Sequence, residues 1–168
     1  MRAAAVLLVL AAVPAAAQHA HHTPYAGLES RPIKSLSEQQ IADLRAGRGL
    51  GLALAAELNG YPGPMHVLEL ADALALTPEQ RTRTAELIAA MRAEAIGAGE
   101  EVIRREAELN RLFAERTADL TGLHAAVNEI GLKQAMLRVV HLKYHLAMME
   151  VLTPEQVARY GVLRGYKP

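Results

Sequence analysis

Two groups of histidines are the residues in this 168-residue chain whose type and spacing could do chemistry. His19, His21 and His22 form an H-x-H-H cluster near the N-terminus, and His141 and His145 stand four residues apart. Neutral imidazoles coordinate Zn, Cu or Ni, and two histidines four residues apart on a helix can share one ion. The sequence therefore predicts two candidate metal-binding positions.

The same histidines also have a purely structural interpretation. His141 falls on an apolar helical stripe and His145 borders it, so both could pack without a ligand, while the N-terminal cluster could be solvated. A complete metal site would need further ligands, from the N-terminal histidines, a carboxylate such as Glu94, or a second subunit. Neither interpretation is excluded by the spacing.

The sequence offers little for catalysis. Cysteine is absent, and the only serines, Ser30, Ser35 and Ser37, stand in an N-terminal region where loops and helix caps explain them. The glycines around residues 47–51 lack the Gly-Lys-Ser/Thr signature of a phosphate loop, and there is no H-E-x-x-H motif. Lys plus Arg and Asp plus Glu both number 18, which gives no basic excess for nucleic acid. We therefore expect a non-enzymatic protein that binds no nucleic acid.

The first residues have the pattern of a secretory signal peptide. Met1 and Arg2 form a basic start, residues 3–13 are an apolar run, and Pro14 is followed by three alanines that end at Ala17. The run is about half the ~20 residues that a membrane-spanning helix needs. We expect cleavage after Ala17, export to the periplasm and no membrane span in the mature chain.

The rest of the chain is predicted to be helical and to fall into three parts. Alanine and leucine dominate while aromatic residues are 4%, a composition that favours helices over strands. Residues 18–35 are predicted to be a flexible tail that contains the first histidine cluster. Residues 36–64 are predicted to hold an N-terminal helix and a Gly/Pro turn, and residues 65–168 a helical hairpin domain.

Two long apolar stripes define that hairpin. One begins after Thr77, the other runs from about Asp119 to Val151, and both step by three and four residues, as in helices that pack along their length. The short connection between them favours antiparallel neighbours, which would place Arg105 opposite Glu129. The second helix carries an additional apolar stripe that the hairpin cannot cover: Leu132, Ala135, Val139, Leu142, Leu146 and Met149.

A repeated motif frames the two long helices. The sequence LTPEQ occurs at residues 76–80 and again at residues 152–156, and a looser copy spans residues 36–40. Thr or Ser at the N-cap and Gln three residues later form a capping box, and Pro suits the first helical position. The predicted structural residues are Leu76, Thr77, Gln80, Leu152, Thr153 and Gln156.

With the signal peptide and the long helices, this pair of motifs resembles the LTxxQ family of periplasmic proteins, which includes Spy- and CpxP-like chaperones and the related CnrX- and ZraP-like heavy-metal resistance proteins. The resemblance covers roughly residues 65–160. It implies an all-α, cradle-like homodimer that needs no cofactor and binds unfolded proteins or an envelope sensor protein without ATP. The alternative that it implies is a periplasmic sensor or resistance protein for Zn, Cu or Ni.

Overall fold

The computed structural model describes residues 24–166, and within them the chain forms helices and no strand, which confirms the predicted all-α class. The signal peptide and the cluster of His19, His21 and His22 lie outside the described residues. No helix in the described part is long and apolar enough to cross a membrane. After a 3-10 turn at Leu28–Ser30 come α1 (Glu38–Arg45), α2 (Leu54–Glu57), α3 (Pro64–Glu69), α4 (Pro78–Ala114), α5 (Leu120–Val151) and α6 (Pro154–Leu163).

The two long helices form the body of the molecule. With 37 and 32 residues, α4 and α5 are about 56 Å and about 48 Å long at 1.5 Å per residue. The first half of α4 contacts the second half of α5, where Glu94 binds Lys143. The second half of α4 contacts the first half of α5, where Arg105 lies 3.4 Å from Glu129. The predicted pairing of Arg105 with Glu129 is therefore confirmed.

Two apolar clusters hold the shorter segments against these helices. The first forms where α3 and α6 meet the beginning of α4 and the end of α5, and contains Val67, Leu74, Met91, Tyr144, Met148 and Tyr160. The second forms where the segment before α1, and α1 itself, pack on the middle of α4, and contains Ile33, Leu36, Leu44, Val102, Ile103 and Leu137.

Residues 32–35 of the predicted tail pack against α4. Asn110 of α4 accepts a hydrogen bond from the Lys34 N–H at 3.2 Å, and the Ser35 hydroxyl donates to Glu106 at 2.7 Å. Ile33 is buried beside them. The flexible tail predicted over residues 18–35 therefore does not extend to residues 32–35, where the Ile33 side chain, the Lys34 backbone N–H and the Ser35 hydroxyl find partners in the folded part of the chain.

Candidate functional site

The two LTPEQ motifs meet in space through their glutamines. The Gln80 Nε2 donates to the Gln156 Oε1 at 2.8 Å, and the Gln156 Nε2 donates to the Gln80 Oε1 at 2.9 Å. Each Oε1 also accepts the backbone N–H of its own N-cap, Thr77 or Thr153, in a complete capping box. Leu76 and Leu152 are buried. The motifs thus tie the beginning of α4 to the beginning of α6 and expose no reactive group.

The candidate metal ligands His141 and His145 lie away from the LTPEQ motifs, in a cavity of about 660 Å³ between the segment 46–66 and helices α4 and α5. Ile88 and Met91 of α4 line it, and His141 and His145 of α5 do so as well. Gly47, with φ +66°, lets the segment approach α4 closely: a Cβ there would lie 3.0 Å from the Arg92 carbonyl oxygen.

His141 forms part of the cavity lining and has no hydrogen-bond partner among the described residues. Only 3% of the residue is exposed, and its Nε2 is buried without a donor or acceptor nearby. Burial lowers its pKa below 6.5, and the charge on His145 lowers it further. The ring is therefore neutral near pH 7 and offers one donor and one acceptor.

His145 is held in place by the Gly/Pro turn and a buried carboxylate. Its Nδ1 lies 2.7 Å from the Tyr61 carbonyl oxygen, which can only accept, so this nitrogen carries the proton. The Glu57 Oε2 lies 3.7 Å from the same nitrogen. A Cβ on Gly63 would fall 2.9 Å from the His145 ring, so glycine allows this close approach.

Glu57 is the centre of a polar network that sequence reasoning missed. It is 6% exposed, its Oε2 accepts the Gly63 N–H at 3.1 Å, and its Oε1 accepts hydrogen bonds from the hydroxyls of Tyr160 and Tyr166. Burial and the bond to this carboxylate raise the pKa of Tyr160. A signal did exist, because Glu57 is the one charged residue in the apolar stretch 49–65.

The predicted metal ligands are only partly brought together. His141 and His145 share the cavity, whereas Glu94 binds Lys143 and Tyr144 instead. The hydrogen bond from Lys143 lowers the pKa of Glu94. In residues 24–166 no group of three or more His, Cys, Asp or Glu side chains is placed to hold a metal ion. Within that part of the chain, His141 and His145 are therefore the only predicted metal ligands that lie together.

A second candidate site is an uncovered apolar surface on α5. The side of this helix opposite Ile130, Leu137 and Met148, which are buried, carries large apolar residues that are 38–60% exposed. We call this surface the outer α5 face; it contains Leu132, Met136, Val139, Leu146 and Met149. It spans about 26 Å of helix, at 1.5 Å per residue.

Comparisons with protein-family models, with curated proteins and with solved structures found no match for this chain. The cavity, the outer α5 face and the LTPEQ pattern are the features of the molecule that bear on its function.

Proposed function

We propose that this protein is an exported envelope-stress protein of the LTxxQ type, which binds unfolded or partner proteins without ATP and catalyses no reaction. The observation that carries the proposal is the outer α5 face, where five large apolar side chains are exposed on the side of the helix away from the core. Contiguous exposed apolar surface in a folded protein commonly marks a protein-binding site.

The character of this surface suits clients of varied sequence. Covering the half-exposed part of one leucine or valine is worth about 1 kcal/mol, so each contact is weak and the sum is moderate. Met136 and Met149 add flexible side chains that adapt to different partners. The nearby Lys143 and Glu150 carry charges of both signs. A surface of this kind favours transient, sequence-tolerant binding over one specific partner.

We further propose that α4 and α5 act as an elongated hairpin in a cradle-like homodimer. A separate group of apolar residues, Phe113, Leu120 and Val127, is exposed where α4 ends and α5 begins. These residues supply apolar surface for contact with a second copy, which would leave the outer α5 face available to clients. The signal-peptide pattern in residues 1–17 supports placement of this dimer in the periplasm.

An aggregation assay tests the client-binding proposal. The purified protein, at a near-stoichiometric ratio and without ATP, should slow the aggregation of a chemically denatured client protein. Replacing Leu132, Val139 and Leu146 with glutamine should abolish protection while helicity is retained. The matched control places glutamine at three exposed alanines of α4 and should protect like the parent protein: Ala85, Ala89 and Ala93. Lack of protection at several-fold excess, or equal protection by both variants, contradicts the proposal.

Metal sensing is the second candidate function, and the unpartnered ring of His141 favours it. We propose that a Zn, Cu or Ni ion on His141 and His145 would draw its remaining ligands from His19, His21 and His22 or from a second subunit. Calorimetry with each metal tests this candidate. Alanine at all five histidines should abolish micromolar binding, whereas His124→Ala, at an exposed site, should leave it unchanged. Unchanged binding in the five-fold variant would show that the ligands are wrong.

A further inference from the structure

We infer that the cavity beside His141 binds a small anionic amphiphile, of the class of a medium-chain fatty acid carboxylate. The acyl chain would lie against the apolar lining and the carboxylate would face His141 and Arg92. This inference concerns a different surface from the outer α5 face and goes beyond client binding.

The size and lining of the cavity fit such a ligand. Its volume of about 660 Å³ lies within the range of roughly 300–1,000 Å³ that small-molecule pockets occupy. Apolar surface predominates in the wall, and three apolar side chains of the lining, Leu50, Leu54 and Met65, are about half exposed although they line a concave surface. An acyl chain would remove these side chains from water, which is favourable in proportion to the apolar area covered.

One residue with a strained backbone, Leu50, lies on the same wall. Leu50 has φ +47°, a left-handed conformation that is unfavourable for a residue with a Cβ, and it stands next to Gly51 with φ +75°. A strained residue persists where its surroundings hold it, and such residues cluster at ligand sites. In this conformation the Leu50 side chain lines the open cavity and is not buried in the core.

The polar groups of the wall favour an anionic head. The buried Glu57 carboxylate accepts three hydrogen bonds and lies 3.8 Å from the Arg164 guanidinium, so its charge is partly balanced within the protein. Arg48 is paired with Asp43 at 2.6 Å, whereas Arg92 has no ion-pair partner in residues 24–166. With the unpartnered His141 ring, this leaves one cation and one neutral hydrogen-bonding group for a carboxylate. Hydrogen bonds between a guanidinium and a carboxylate are charge-assisted and are stronger than hydrogen bonds between neutral groups.

A fluorescent fatty acid, 11-(dansylamino)undecanoic acid, is the probe for the test. It should bind the purified protein saturably, with one site per chain, and dodecanoate should displace it at about tenfold lower concentration than dodecanol. Arg92→Gln should remove this preference for the carboxylate. The matched control Arg111→Gln, an exposed site near the far end of α4, should retain it.

Blocking variants test the location of the site. A Cβ on Gly49 would lie 3.9 Å from the His141 Nδ1, so Gly49→Leu places a side chain beside this ring without a clash at Cβ. It should weaken probe binding at least about tenfold, a loss of 1.4 kcal/mol or more. Gly131→Leu on α5, where nothing lies within 4 Å, is the matched control. Leu54→Glu, at an exposed position of the rim, provides a second variant that should repel the carboxylate.

Several results would overturn the inference. One is the absence of saturable probe binding, and another is equal displacement by dodecanoate and dodecanol. A third is binding that the glutamine variant of Leu132, Val139 and Leu146 abolishes but Gly49→Leu does not, because the probe would then sit on the outer α5 face. A fourth is Zn binding that depends on His141 in a protein that binds no dodecanoate, which would assign the cavity to a metal.

Discussion

The glutamine pair that joins the two LTPEQ motifs gives the sharpest prediction about stability. Replacing Gln80 or Gln156 with alanine removes the two reciprocal side-chain bonds and the acceptor for one N-cap N–H. It also removes a bond to a backbone carbonyl oxygen, which is that of Val151 for Gln80 and that of Leu74 for Gln156. Each single variant therefore loses four hydrogen bonds.

The expected magnitudes follow from those bonds. At about 0.5–1.5 kcal/mol for each bond, reduced because the pair is only partly buried, either variant should lower the free energy of unfolding by about 2–4 kcal/mol. Each single variant already loses both reciprocal bonds, so the second substitution of the double variant has no reciprocal bond left to remove. The double-mutant cycle should therefore give a coupling energy of about 1–2 kcal/mol between Gln80 and Gln156.

Urea unfolding followed by circular dichroism measures these free energies. Gln40 is the matched control, because its Oε1 caps the Ser37 N–H at 2.9 Å but its side chain bonds no other helix. Gln40→Ala should lower the free energy of unfolding by about 1 kcal/mol or less. A coupling energy below about 0.5 kcal/mol, or equal losses for Gln40→Ala and Gln80→Ala, would show that the glutamine pair does not join the two motifs energetically.

Two other predictions concern α4 and the cavity. Gly99→Ala should destabilise the protein by about 1–3 kcal/mol, because its Cβ would lie 2.6 Å from the Leu44 carbonyl oxygen. Gly97→Ala should stabilise the protein by about 0.5–1 kcal/mol, because nothing lies within 4 Å of its Cβ and alanine favours the helix. Equal effects in thermal melting would contradict this close packing of α1 on α4. Burial and the charge on His145 lower the pKa of His141, so the unfolded chain binds the proton more tightly and stability should fall as the pH decreases below about 6.5. His141→Leu should reduce this slope in urea titrations and the exposed His124→Asn should not; a slope that both variants retain would assign it to other groups.

The periodic part of the fold was predictable because local physics determines it. The step of three and four residues and the LTPEQ caps predicted the beginning of α4 and both ends of α5 to within about a residue. The register between the helices followed from the short connection, as the Arg105–Glu129 pair shows. The segment before α1 was predicted less well, because its order depends on partners such as Asn110 that lie far along the chain.

The cavity was only half predictable. The spacing of His141 and His145 placed both on one side of a helix, which the structure bears out by burying them together. Their surroundings come from the segment 46–66, whose glycines carry no helical or strand period. Nothing local indicates that Glu57 meets tyrosines about a hundred residues later, so this network needed the tertiary structure.

Photo-crosslinking shows directly whether clients bind the outer α5 face. The photoreactive residue p-benzoylphenylalanine is placed at Leu146, which is 59% exposed on that face, or at the exposed Ala89 of α4 as the matched control. Each protein is irradiated with a denatured client during the aggregation assay. Crosslinks to the client should form from position 146, and few or none should form from position 89. Equal yields from the two positions, or crosslinks from position 146 only to a second copy of this chain, would show that clients do not bind this face.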